Sequence, residues 1–110
     1  MQSYDLLILG SGPAGLTAAI YAARYKLNFL VIGQISKIIE ASLIENYPGL
    51  ICSGFELLNK FTQHAKRLGV EIRQEVIKKI SLIKTKERNE FEVKTDRAIY
   101  KAKAIIYCLG

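Results

Sequence analysis

The sequence predicts an α/β fold: a parallel β-sheet grown from a βαβ unit, joined by an antiparallel three-stranded β-meander. Three observations carry this. Short, nearly continuous apolar runs at residues 4–9 and 28–32 are separated by an alanine-rich stretch, the order of two buried strands and a crossover helix. From residue 76 the apolar period becomes two, as in half-buried antiparallel strands. A further apolar run, residues 104–108, then follows the alternating region.

Tyr4-Asp5-Leu6-Leu7-Ile8-Leu9 stops at Gly10, and Ser11-Gly12-Pro13-Ala14-Gly15 is a turn signal. Residues 16–25 hold no glycine or proline and read as a helix, with Pro13 near its start, where a missing N–H is harmless. Residues 28–32 form the second strand, ending at Gly33. Strand, helix and strand within about 30 residues make a βαβ unit with parallel strands and a right-handed crossover. Residues 35–44 suggest one or two helical turns, and Glu45-Asn46-Tyr47-Pro48-Gly49 a turn. Ser53-Gly54 opens a helix over 55–68, with Phe55, Leu57, Leu58, Phe61, Ala65 and Leu68 at helical spacing and Gly69 at the post-helix position. Residues 70–74 alternate as a third strand. Residues 76–83, 91–95 and 98–101 form the meander, turning near Glu87-Arg88-Asn89 and Asp96-Arg97, and residues 104–108 a separate closing strand. No repeat or interdomain linker is present, so residues 1–110 read as a single domain.

With 110 residues, half of them apolar, the chain supports one modest core. The two cysteines, Cys52 and Cys108, are too few for a disulfide scaffold or zinc cluster, too far apart for a CxxC pair, and expected to pack as small hydrophobes. His64 lies on a predicted helix and reads as a surface histidine. No secretory leader is expected. The uncharged stretch from Leu6 to Ala23 is broken by Gly10, Gly12, Pro13 and Gly15, so it is not a membrane span. A cytoplasmic protein is the expectation. Net charge is +6 and uneven: residues 1–59 carry three basic and four acidic side chains, residues 60–103 thirteen and six. Lys78, Lys79, Lys84, Lys86 and Arg88 crowd the meander but lack interleaved aromatics, which disfavours DNA or RNA. They read as a solvated face.

Gly10-x-Gly12-x-x-Gly15 is the feature that points to chemistry. The first glycine permits the tight turn out of a strand, the second lets a pyrophosphate approach the backbone, and the third lets the helix pack on the strand. The helix then aims its free N–H groups and positive dipole end at the phosphates. A lone glycine pattern is weak, but this one has the strand–turn–helix–strand context a dinucleotide requires. The fold is therefore read as Rossmann-type. An acid normally ends the second strand and binds a ribose hydroxyl. Here Gly33 and Gln34 stand there, and Gln34 can serve through its amide. No nearby arginine favours a 2′-phosphate, and the missing acid argues against NAD.

These residues resemble a known group. The run from Tyr4 to Arg24 is similar to the opening of the thioredoxin reductase-like flavoproteins, a branch of the FAD-dependent pyridine nucleotide-disulfide oxidoreductases. Glu45-Asn46-Tyr47-Pro48-Gly49 with Ser53-Gly54-Phe55-Glu56-Leu57 matches a second signature, and the resemblance spans essentially the whole chain. It implies the FAD-binding part of an oxidoreductase in which flavin relays hydride or electrons. Ser11, Gly12, Pro13 and Ala14 would hold the pyrophosphate, Asn46 would lie near the flavin ring, Ile77 would meet the adenine through its backbone, and Gly110 would run beside the cofactor. No catalytic side chain is assigned. Departures are Gly33 where an acid is common, Ile35-Ser36-Lys37 in place of Gly-Gly-Gln, and Cys108-Leu109-Gly110 in place of Ala-Thr-Gly. The family's nicotinamide-binding domain and CxxC dithiol do not occur in these 110 residues, so the sheet reads as incomplete, to be completed by a missing C-terminal segment or a partner chain. Homodimerisation is left open. The competing reading is a non-catalytic dinucleotide-binding or interaction module that offers an open sheet edge to a partner.

Overall fold

The first strand of the chain lies inside the sheet, as an apolar run with no solvated face requires. The computed structural model describes residues 1–34 and 37–109. In chain order these form β1 (Gln2–Leu9), α1 (Pro13–Arg24), β2 (Phe29–Gly33), a 3-10 turn (Lys37–Glu40), β3 (Ile44–Tyr47), β4 (Leu50–Cys52), α2 (Gly54–Arg67), β5 (Ile72–Gln74), β6 (Ile77–Lys84), β7 (Asn89–Thr95) and β8 (Ile99–Tyr107). The main sheet runs β5-β2-β1-β8-β7-β6. Its first four strands are parallel, whereas β7 and β6 are antiparallel additions. The predicted parallel sheet and meander are both present, fused into one sheet.

That fusion corrects one expectation. Residues 98–101 and 104–108 are not separate strands but the two ends of β8. Its first half pairs with β7 on one side, Ile99 to Ala102 against Lys94 to Phe91. Along its length it pairs with β1 on the other, from Gln2↔Tyr100 to Leu9↔Tyr107. One strand serves as third member of the meander and fourth of the parallel sheet. The Lys101-Ala-Lys103 stretch, whose lysines interrupt the apolar pattern, lies within β8, and Lys103 pairs with Asp5 (3.2 Å).

A second difference lies at 44–52. The expected turn is the tip of a small antiparallel hairpin, β3–β4, with Ile44 opposite Cys52 and Tyr47 opposite Leu50. Ile44, Cys52 and Leu57 make a satellite core there, and Tyr47 sets its ring edge-on to Phe61, 5.5 Å between centroids. Of the helical turns expected at 35–44, only the 3-10 turn lies in the described residues. Cys52 is buried, and His64 exposed, as expected.

The two faces of the sheet are covered differently. Ile8 and Val31 point to the helices, meeting Leu16, Ala19 and Ala22 of α1 and Ala65 of α2. Leu7, Leu9, Leu30 and Ile32 point the other way, against Val93, Tyr100 and Ala102, with Ile77 and Ile80 of β6 packed alongside. The meander thus supplies the second layer that two helices alone could not. Burying four large aliphatic side chains on that face contributes about 1.5–3 kcal/mol each.

Both helices end in paired backbone bonds of the Schellman type. In α2, Gly69 N–H donates to Lys66 C=O and Val70 N–H to Ala65 C=O. In α1, Lys26 N–H donates to Ala23 C=O and Leu27 N–H to Ala22 C=O. Gly69 adopts the required positive φ at ease, but in α1 the position is held by Lys26 at φ 55°. A left-handed non-glycine residue is strained.

One polar network crosses the second core. Glu75 is buried, and its carboxylate accepts from the Tyr100 hydroxyl (2.9 and 2.8 Å to the two oxygens) and from Thr95 Oγ1 (2.6 Å). Arg73 donates to the Tyr100 oxygen (3.2 Å) and pairs with Glu71 (2.6 Å). Among the described residues no buried side-chain polar atom lacks a partner. The hydrogen bond to Tyr100, then that to Glu71, holds the Arg73 pKa above its ordinary value. Burial raises that of Tyr100, outweighing the opposing pull of Arg73.

Two outcomes are expected. Lys26→Gly should raise stability by up to ~1 kcal/mol in urea unfolding by relieving the left-handed residue. Tyr100→Phe should cost about 1–3 kcal/mol, because Glu75 loses a buried donor. Since the folded Tyr100 pKa is raised, the native state holds that proton more tightly than the unfolded chain. The associated stability is therefore complete below pH ~10 and lost as pH rises past it. The steeper alkaline loss should be present in the wild type and reduced in Tyr100→Phe.

Candidate functional site

The carboxyl ends of β1, β2 and β8 converge on the glycine loop. Gly10 N–H donates to Ile32 C=O and Cys108 N–H to Leu9 C=O, both at 2.7 Å, so the end of β1 is tied on both sides. The chain then turns through Gly10 at φ 127°, and a Cβ there would lie 2.5 Å from the Cys108 carbonyl oxygen. One turn on, a Cβ on Gly15 would fall inside the Gly10 carbonyl. From β2, a Cβ on Gly33 would lie 2.7 Å from Ser11 N. Backbone meets backbone at each point, and Ser11 Oγ adds a bond to the Gln34 carbonyl (2.8 Å) that laces the loop to the end of β2.

This packing leaves the start of α1 bare. Gly12 is its N-cap, and it makes no side-chain capping bond; Pro13 follows, and the first turn holds no acid. The first helical bond is Leu16 N–H to Gly12 C=O (2.9 Å), so the Ala14 and Gly15 amides lie ahead of it at the positive end of the helix. By contrast Ser53 Oγ accepts from Glu56 N–H (3.1 Å) and Glu56 is acidic in the first turn of α2. One helix closes its own N-terminus, and the other leaves it without a side-chain cap or an acid.

Beside the loop, where β2 and β5 end in register at Gly33 and Gln74, lies a cavity of about 410 Å³ lined by Gln34, Gln74, Glu75 and Val76. Gln34 was anticipated from the sequence; Gln74, Glu75 and Val76 were not. The signal was there: an acid does follow a parallel strand, but β5 rather than β2.

The structure thus brings Gly10, Ser11, Gly12, Pro13, Ala14, Gly15, Gly33 and Gln34 together. Ile77 starts β6 one residue beyond the cavity and packs against the second core. Val76 has both its N–H and its C=O bound to Asp96, at 2.9 and 3.0 Å. Asn46 is exposed on β3, and no hydrogen bond links it to the glycine loop among the described residues. Gly110 lies outside the described residues. Cys108, half-buried, is a neighbour of Gly10 that the sequence reading had treated as filler.

With this geometry in view, the family model of the pyridine nucleotide-disulphide oxidoreductases matches residues 4–110. The chain belongs to that family. It is 45% identical, over 99% of its length, to a protein described as the 34.2 kDa protein in the rubredoxin operon of Clostridium pasteurianum, covering 36% of that protein. It is 40% identical to thioredoxin reductase of Bacillus subtilis, over 97% of this chain and 34% of that one. Among solved structures, thioredoxin reductase from Streptococcus pyogenes superposes with a TM-score of 0.87 at 38% identity, covering 98% of this chain and 35% of that one. The chain spans about a third of the length of these relatives. Its fold is the thioredoxin reductase-like α/β fold the sequence predicted.

For this member of the family, Gly15→Ala should destabilise the chain by about 1–3 kcal/mol, the usual cost of forced overpacking, and displace the α1 start from the Gly10 turn. Urea unfolding with amide spectra of residues 10–16 checks both.

Proposed function

We propose that this chain is an FAD-holding unit of a thioredoxin reductase-like flavoprotein oxidoreductase. The observation that carries the reading is the uncapped, acid-free start of α1, set against three strand ends by glycines at positions where no Cβ fits. A diphosphate bridge supplies the negative charge and acceptor oxygens that this helix end lacks. In this reading Gly12, Ala14 and Gly15 give the main-chain donors, Pro13 presets the first turn, and Ser11 holds the loop on β2. The adenosine half enters the cavity at Gln34, with Ile77 offering its main chain. Asn46 lies toward the flavin.

Bound FAD would supply two-electron redox chemistry, and no side chain here is assigned as acid, base or nucleophile. Relatives named thioredoxin reductase support transfer to a disulfide as the wider reaction. The proposed location is the cytoplasm: both cysteines are free, as a reducing compartment favours, and no helix among the described residues is long and apolar enough to cross a membrane.

A second reading, an interaction module, has one observation in its favour. Among the described residues, β8 beyond Ala102 has β1 on one side only, and Ile106 and Tyr107 are exposed there. An exposed strand edge of this kind accepts another chain.

Titrating the purified chain with FAD decides between them. The proposal expects a stoichiometric complex with a shifted, structured flavin band, lost in Gly12→Asp, which sets a carboxylate against the phosphates. A chain that leaves the FAD spectrum unchanged contradicts it.

A further inference from the structure

Dinucleotide folds of this kind usually end the second strand with a carboxylate that accepts from the ribose hydroxyls. This chain has no room for one. Gly33 ends β2 with Ser11 N placed 2.7 Å from where a Cβ would be, so any side chain would lift the glycine loop from the strand. The neighbouring acid, Glu75, is 8% exposed and already accepts from Tyr100 and Thr95. It is committed to the core.

Two amides occupy the position instead. Gln34 follows Gly33, Gln74 is the register partner of Gly33 on β5, and both line the same cavity of about 410 Å³. That volume is within the range of small-molecule sites. Both residues are exposed, and neither side chain makes a hydrogen bond among the described residues. An amide both donates and accepts, whereas a carboxylate only accepts. A ribose diol also does both at each hydroxyl. Two amides on adjacent parallel strands therefore match a vicinal diol without introducing charge.

We propose that Gln34 and Gln74 form a neutral clamp for the ribose diol of the adenosine half, replacing the carboxylate at the end of β2. The inference rests on the FAD reading above and adds a residue, Gln74, that the glycine motif does not reach. The clamp distinguishes a nucleotide that has the 2′ and 3′ hydroxyls from one that lacks them.

Calorimetry with ADP and with 2′,3′-dideoxy-ADP, on the 110-residue chain, tests it. Both probes keep the diphosphate and adenine, so the ratio of their affinities reports the diol alone. The wild type should bind ADP about tenfold more tightly, as two or more ordinary hydrogen bonds imply. Gln34→Ala and Gln74→Ala should each lower that ratio about threefold, and the double variant should bring it near one. A ratio near one in the wild type, or one that survives in the double variant, overturns the clamp and leaves the phosphate loop standing. If the wild type binds neither nucleotide, nor FAD, the clamp and the FAD reading fall together.

Discussion

The molecule depends on backbone meeting backbone at one place. The Gly10 carbonyl lies under Gly15, the Cys108 carbonyl lies over Gly10, and Ser11 N lies against Gly33. Three strand ends and one helix start share a volume that admits no side chain. The cost is conformational freedom surrendered by glycine on folding. The return is a helix terminus whose amides are unshielded by any cap or acid and held rigidly by β1, β2 and β8. Had any of those glycines been alanine, the helix would sit further from the sheet and its amides would diverge.

The remainder of the fold supports that point from both sides. On the helix face, small residues let α1 approach: Ala19 and Ala22 are buried against Ile8 and Val31. On the other face the meander closes the core, and the Arg73–Tyr100–Glu75 network ties β5 to β8 through side chains rather than through the ladder. Since β5 also borders the cavity, the buried carboxylate fixes the strand end on which Gln74 stands. Side-chain partners alternate along one short strand and its extension: Arg73 bonds Tyr100, Gln74 faces the cavity, and Glu75 accepts from Tyr100 and Thr95.

The glycine loop, both helices and the strands they connect were legible because each is set by local chemistry: an apolar run, a glycine at fixed spacing, a helical period. What was not legible depended on pairing at a distance. The continuity of β8 is invisible in Lys101-Ala-Lys103, whose lysines look like a break until Asp5 and the neighbouring strands are placed. The β3–β4 hairpin is four residues against three, too short for a period to register, and it is held by Phe61 and Leu57 from another element. The cavity was half legible. Gln34 follows from the motif, but Gln74 enters only through the β2–β5 register, which no local pattern encodes. Glu75, the acid beside the cavity, is taken up by Thr95 and Tyr100 inside the core, a pairing that its place in the sequence does not reveal.

Assigning a role to main-chain amides calls for a measurement on those amides. Nitrogen-15 resolved NMR of the labelled chain, titrated with FAD, observes each of them separately. The account requires the largest shifts at Gly12, Ala14 and Gly15, saturating together, with smaller ones at Gln34 and Gln74. Shifts confined to the hairpin or to the β8 edge, with the start of α1 unmoved at saturation, would contradict it.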